Sequence, residues 1–430
     1  MSDEKPSNTP ADVKQPERPK LIQIMGPGPI TGASDDDPSG IATYSQAGAQ
    51  FGYDLGWTLI FSYPLMSAIQ QISARIGRVT GRGLAGNLRQ HFPKPVLLTL
   101  VALLLFANII NLGADLGAMA EALRLLIGGP QIAYVMLFAL ISVLLEVFMR
   151  YSRYVSVLKW LTLSLFAYVA TVLVVRVPWG EVAHHLVVPQ IQWTRAYMLA
   201  IVGLLGTTIS PYLFFWQASQ EVEEERENPD AKPLKQAPDQ APAEMARIRL
   251  DTDVGMAFSN IIALFILLTA AATLHPKGIT DIGSAGQAAE ALRPLAGEFA
   301  FALFALGIVG TGMLALPVLA GSAAVAVGEA FKWRVGLANK PGRAKAFYAT
   351  IAVATLAGAV LNLTTIDPMK ALVWAAVVNG IVAVPVMAMT MIIASRTKVM
   401  GQFKLKGYLR VVGWIATAVM GAAVIGLTVL

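Results

Sequence analysis

The sequence predicts an all-α membrane protein that crosses the bilayer many times, and three observations carry that reading. Of its 430 residues 55% are hydrophobic and 14% charged, where a soluble chain carries about a quarter charged. Mean hydropathy is +0.59. Eleven stretches are apolar and long enough to cross a hydrocarbon core of about 30 Å, which takes roughly 20 helical residues. They lie near 21–50, 55–76, 96–123, 132–149, 155–176, 197–220, 254–274, 299–326, 346–363, 369–394 and 408–429.

Charge placement orders these spans. All but six of the 33 Lys and Arg fall in the N-terminal tail or around the connections after spans 2, 4, 6, 8 and 10, Arg75, Arg78, Arg82, Arg89 and Lys94 among them. Basic connections mark the cytoplasmic side. The expected setting is a cell (inner) membrane, with the N-terminus cytoplasmic and the C-terminus outside. The same asymmetry accounts for the net charge of +6, so the basic balance implies no nucleic-acid partner.

Residues 1–20 are polar, rich in Pro and Lys, and lack an apolar core. They read as a disordered cytoplasmic tail rather than a signal peptide. The absence of cysteine excludes disulfides, thiolate metal sites and Cys nucleophiles. The long inner connection, about 221–253, starts with EVEEERE and turns Pro-rich. It reads as a flexible cytoplasmic insert. Residues 278–297 read as an outer loop with a short amphipathic helix.

Two spans are interrupted in matching places. SDDDPSG, Ser34 to Gly40, breaks span 1; GTTISPY, Gly206 to Tyr212, breaks span 6. Paired Pro-interrupted spans in corresponding halves point to an inverted repeat with an ion site between the breaks. Repeat one is then about 21–176, repeat two about 197–394, and the helix at about 408–429 is an addition. Each break frees carbonyls that carry the negative end of a helix dipole. Asp37 directly precedes Pro38, which biases its backbone away from the helical region. It is the candidate charged ligand for a divalent metal, with Asp35 and Asp36 within one helical turn, either lining the entry route or staying partly solvated. An Asp-Pro pair also suits an ordinary turn or N-cap, and Thr and Ser at the second break also suit freed backbone groups. Three acids inside an apolar span are too costly to be kept without use, which favours the functional reading.

The stretch GPGPITGASDDDPSGIATYSQAGAQFG, followed by SARIGRVTGRGL at Ser73 to Leu84, resembles the Nramp family of divalent-metal transporters. That resemblance implies a LeuT-type fold of five plus five helices with helices 1 and 6 broken. Asp37 and Pro38 fall on the family's metal-binding Asp and its Pro. The family's Asn ligand falls on Gly40. Its Met-Pro-His motif on helix 6 falls on Ser210-Pro211-Tyr212, and the alanine whose carbonyl binds metal on Thr207. Two histidines tied to proton movement fall on Tyr212 and Gln217, and an acid of helix 3 on Asn111. The implied metal set is Asp37, Gly40, Thr207 and Ser210, with Gly40 and Thr207 offering carbonyls and Ser210 a carbonyl or hydroxyl. Asp35, Asp36, Tyr212, Gln217, Asn108 and Asn111 would line the pathway or stand behind the ligands.

These departures share a chemical direction. A thioether favours softer transition metals, whereas oxygen ligands suit Mg²⁺, Ca²⁺ or Mn²⁺. Mg²⁺ keeps several waters and takes one or two carboxylates. The pattern resembles the Nramp-related magnesium transporter branch and implies Mg²⁺ first and Mn²⁺ second, moved by alternating access. His91, His184, His185 and His275 all lie in or beside connections, so weak or absent proton coupling is expected. Asp115 and Glu121, near the outer end of span 3, leave a different relay open. The alternatives are a proton-coupled Mn²⁺/Fe²⁺ importer and a sodium-coupled solute carrier on the same fold. A membrane-embedded metal-dependent hydrolase would need a second dense His/Asp/Glu cluster, which is missing. The expectation is therefore a transporter, not an enzyme, with no cofactor and with the metal as substrate. Asn108, Asn111 and Asn260 suit either the pathway or helix-to-helix hydrogen bonds, and Glu146 an i,i+4 pair with Arg150.

Overall fold

Among the described residues there are fifteen helices of eight or more residues and no strand. The structure is a computed structural model that describes residues 28–148, 161–337, 339–364 and 366–430. The N-terminal tail, the start of span 5 and Arg150 lie outside these residues. Span 1 is two short helices, α1 (Gly28–Asp35) and α2 (Pro38–Phe51). Then come α3 (Gly56–Thr80), α4 (Leu84–His91), α5 (Lys94–Ile127) and α6 (Gln131–Phe148). The first half closes with α7 (Phe166–Val174) and α8 (Trp179–Val187). Span 6 is again two helices, α9 (Arg195–Thr208) and α10 (Pro211–Glu227). The second half continues with α11 (Ala241–Thr273), α12 (Ala300–Phe331), α13 (Lys345–Leu361) and α14 (Pro368–Ser395). The last helix is α15 (Gly407–Val429).

Among the described residues seven helical stretches are long and apolar enough to cross a membrane: α5, α6, the α9–α10 pair, α11, α12, α14 and α15. Helices α7 and α8 qualify only together, and they bend by 119° at Val175–Pro178. The sequence places α8 in a connection. It is a short amphipathic helix in which Val182 alone is fully buried. Helix α3 is long, but Gln70, Gln71, Ser67, Ser73 and Arg78 are buried along it, so it packs polar groups against the interior of the bundle.

The two halves exchange partners. Span 1 lies on α11, where the main chain of Gly32 meets that of Gly255 and Gly48 meets Leu267 so closely that an added Cβ would fall 2.3 and 2.2 Å from a carbonyl oxygen. Span 6 lies on α3 in the corresponding way, Gly77 against the Ala218 carbonyl at 2.2 Å. Small residues let helix backbones approach where lipid supplies no hydrophobic drive. First-half helix 1 on second-half helix 7, mirrored by helix 6 on helix 2, is the packing an inverted repeat produces.

The inner connection departs from the flexible insert expected at about 221–253. Helix α10 runs on to Glu227 and α11 starts at Ala241, so only Asn228–Gln240 links them. Arg247 pairs with Glu221, Glu224 and Glu244, and Arg78 with Glu225 and Glu244. Leu234 and Lys235 donate their amides to the Arg78 and Val79 carbonyls, at 3.1 and 3.3 Å, closing the end of α3. Glu221 and Glu225 of the acidic run are turned towards these arginines, while Glu224 and Glu227 stay exposed. On the other side, residues 278–297 hold the short helices Ala285–Ala289 and Arg293–Ala296. Glu121 accepts the Ala285 amide at 3.0 Å.

Candidate metal site

Asp37 sits where α1 stops and α2 starts. Its extended backbone makes it the N-cap of α2, with Pro38 in the first turn. Its Oδ1 accepts the Gly40 amide at 2.8 Å and the Ser39 hydroxyl at 2.6 Å. Its Oδ2 accepts Asn111 Nδ2 of α5 at 2.9 Å and the Tyr212 hydroxyl of α10 at 3.4 Å. Asn379 of α14 donates to Asn111 Oδ1 at 3.4 Å and so orients it. The carboxylate is buried and both its oxygens are held by donors from three elements.

The second break supplies oxygen without charge. Helix α9 ends at Thr208 and α10 begins at Pro211, with Ser210 as the extended residue between. Ser210 Oγ donates to the freed carbonyls of Gly206 and Thr207, both at 2.9 Å. The breaks meet at Gly40: a Cβ there would stand 3.0 Å from Thr207 Oγ1 and 3.2 Å from the Tyr44 ring. Gly40 lies in the first turn of α2, so its amide, not a freed carbonyl, faces the break. That corrects the expectation that Gly40 offers a carbonyl. Free carbonyls belong to helix C-termini, here those of α1 and α9; Ser34 O of α1 accepts the Tyr212 hydroxyl at 3.3 Å.

Asp35 and Asp36 face the other way. Both accept from the single hydroxyl of Ser259 on α11, at 2.7 and 3.2 Å, and each has a second buried oxygen without a partner. Gln217 lies one to two turns along α10, where it accepts the Thr31 hydroxyl at 2.7 Å and reaches Glu221 at 3.5 Å. It ties α1 to α10 rather than touching Asp37. Asn108 joins α5 to α12, donating to Leu319 O and Ser322 Oγ, both at 2.8 Å. Its hydrogen bonds thus give it the helix-joining role, and Asn260, bonded to Leu59 O at 2.6 Å, has the same one. Glu146 accepts from Ser142 at 3.0 Å.

The structure thus gathers Asp37, Gly40, Thr207, Ser210, Tyr212 and Asn111 around the two breaks. The sequence reading missed Ser39, Asn379 and Ser259. An amide inside an apolar span could have signalled Asn379, whereas a serine in a helix carries no distinguishing mark. Asp115, read as an outer acid, is buried on α5 beside the Ser39 main chain, with Asp37 as its charged neighbour. Among the described residues no three His, Cys, Asp or Glu side chains come together as a metal cluster. What the two breaks bring together instead is one carboxylate beside freed main-chain oxygens, the donor types that broken helices present in such folds.

Residues 28–430 match the family model described as Nramp, natural resistance-associated macrophage protein-like. The divalent metal cation transporter MntH of Klebsiella pneumoniae (strain 342) is 26% identical over 405 residues, 93% of this chain and 92% of that one. MntH of Yersinia enterocolitica is 29% identical over 298 residues, 68% and 69% of the two chains. In fold the chain is similar to a mutant of the manganese transporter of Eremococcus coleocola, with a TM-score of 0.74, 18% identity and coverage of 96% and 88%. It is also similar to Mhp1, a nucleobase-cation-symport-1 family transporter in a closed conformation, with a TM-score of 0.55, 15% identity and coverage of 94% and 92%. The broken first and sixth spans and the exchanged halves are those of a LeuT-type fold, and the chain belongs to the Nramp family.

Proposed function

We propose that this protein carries divalent metal cations across a membrane by alternating access, with Mg²⁺ preferred and Mn²⁺ second. The observation that carries the reading is Asp37, a buried carboxylate at one helix break, facing a second break whose offered groups are the Thr207 carbonyl and the Ser210 hydroxyl. Oxygen alone at these positions suits hard cations. Asn111 and Tyr212 stand behind the carboxylate and can accept hydrogen bonds from the waters a Mg²⁺ ion retains. The space beside Gly40 is filled by Thr207 Oγ1 and Tyr44, so an entering ion separates α2 from α9. The MntH relatives, named as divalent metal cation transporters, support the same class of cargo. We further propose that the basic connections face the cytoplasm across the inner membrane, N-terminus inside and C-terminus outside.

The test is uptake into proteoliposomes, with Mg²⁺, Mn²⁺ and lumenal pH followed together. Both ions enter, and lumenal pH stays constant. Mn²⁺ entry with acidification and no Mg²⁺ entry would sink both the cargo and the coupling. Asp37→Ala lowers uptake of either ion by about 100-fold or more, taking loss of a ligand as at least as costly as loss of its supporting shell; unchanged uptake removes the site.

A further inference from the structure

At the basic end of the bundle a cavity of about 550 Å³ opens between α3, α11 and the start of α15. Its lining brings together Arg75, Arg249 and Lys406, with Tyr63 and Tyr408 beside them. One acid faces the three cations. Asp253 is already held by the Ser67 hydroxyl and by Gln71 Nε2 at 2.7 Å, with Arg249 3.7 Å away. Arg75 is half-buried, its Nε has no hydrogen-bond partner, and its charged neighbour is Arg249, another cation. Two guanidinium groups and an ammonium against one carboxylate leave a net surplus of positive charge in the cavity. Guanidinium forks match phosphate oxygens.

The walls rising from this cavity are apolar. Farther along α3, Ile60 and Phe61 are exposed, and along α11 Val254, Phe258 and Ile261 are exposed. The Asn260–Leu59 bond joins the two helices at that level, and Tyr63 donates to the Asp253 carbonyl at 3.2 Å just below it. On α15 the first turns flank the opening, and Tyr408 is two-thirds exposed. A cationic pocket with an exposed apolar wall above it fits a molecule that is anionic at one end and hydrocarbon at the other.

We propose that this cavity binds the phosphate headgroup of an anionic phospholipid, with the acyl chains lying along α3 and α11. Basic pockets between membrane helices take such headgroups. Arg75 supplies the inner cation, and Arg249 and Lys406 close over the phosphate from the rim. The site lies apart from the helix breaks and does not depend on the transport reading.

The experiment uses the full chain, purified in detergent and delipidated, in native mass spectrometry and thermal melts. The probes are dioleoyl phosphatidylglycerol, dioleoyl phosphatidylcholine and inorganic phosphate. Phosphatidylglycerol is expected to remain as a one-to-one adduct and to raise the melting midpoint, with phosphatidylcholine and inorganic phosphate doing neither. Arg249 has an exposed side chain and Lys406 is exposed, so R249Q/K406Q keeps the fold. At roughly fivefold per cation, it weakens phosphatidylglycerol binding about 25-fold, while K340Q on another connection leaves it unchanged. Equal retention of phosphatidylcholine overturns the proposal, and so does a double variant that binds as tightly as K340Q. Inorganic phosphate reproducing the full stabilisation also overturns it, by assigning the pocket to a soluble anion.

Discussion

The two broken spans solve one geometric problem with opposite chemistry. At the first, three acids crowd the break and side-chain donors surround them: Ser39, Asn111 and Tyr212 on Asp37, and Ser259 on Asp35 and Asp36. At the second there is no carboxylate, and the freed carbonyls of Gly206 and Thr207 are satisfied by a hydroxyl three or four residues away. Their packing differs in the same sense. Gly206 lies against main chain, where a Cβ would stand 2.1 Å from the Ala376 carbonyl oxygen, whereas Gly40 faces the Thr207 and Tyr44 side chains. At the breaks themselves the charged one meets adjustable side chains at Gly40 and the oxygen-bearing one meets the fixed main chain of α14 at Gly206, although span 1 is held main chain to main chain on α11 at Gly32 and Gly48.

That contrast can be broken most severely at its glycines. Gly206→Ala forces apart α9 and α14, whose backbones cannot yield, and is expected to cost about 3 kcal/mol. Gly40→Ala meets side chains that can rotate and costs about 1 kcal/mol or less. Melting midpoints of the two variants in detergent make the comparison, and equal losses would contradict it.

Ser259→Ala separates the acids of the first break by task. It removes the shared donor of Asp35 and Asp36, and stability falls by about 1–3 kcal/mol, with uptake retained. Asn111→Ala should do the reverse: uptake falls about tenfold because Asp37 loses its orienting amide, and the melting midpoint moves little. Matching effects on both readouts would mean that the three acids act as one unit. Ser210→Met acts on selectivity rather than on stability or rate. A thioether between α9 and α10 shifts competition between Mn²⁺ and Mg²⁺ towards Mn²⁺ by about tenfold, roughly 1.4 kcal/mol, and an unmoved ratio would detach residue 210 from selectivity.

Much of the fold was legible because long apolar stretches and one-sided basic connections are strong signals in a membrane chain. Both breaks were visible for the complementary reason that Pro and Asp are conspicuous where everything else is apolar. The inner connection was misread because EVEEERE looks like a solvated run until Arg78 and Arg247, far off in sequence, are seen beside it. Gly40 was assigned a carbonyl because a sequence shows where a break lies but not which residue starts the next helix. Which way Asp35 and Asp36 turn depends on Ser259, 224 residues from Asp35, and no local pattern reports a contact of that span.

That distance has a consequence for how the chain is made. The first helix break is synthesised long before the serine that partners two of its acids, or Gln217, which bonds Thr31 across 186 residues. At about 5–20 residues per second on the ribosome, Asp35 waits on the order of 10–45 s for α11 to emerge. Through that interval the leading span has costly carboxylates and no settled place in lipid. Its bonds to Gln217 and Ser259 can form only once the second half has been made.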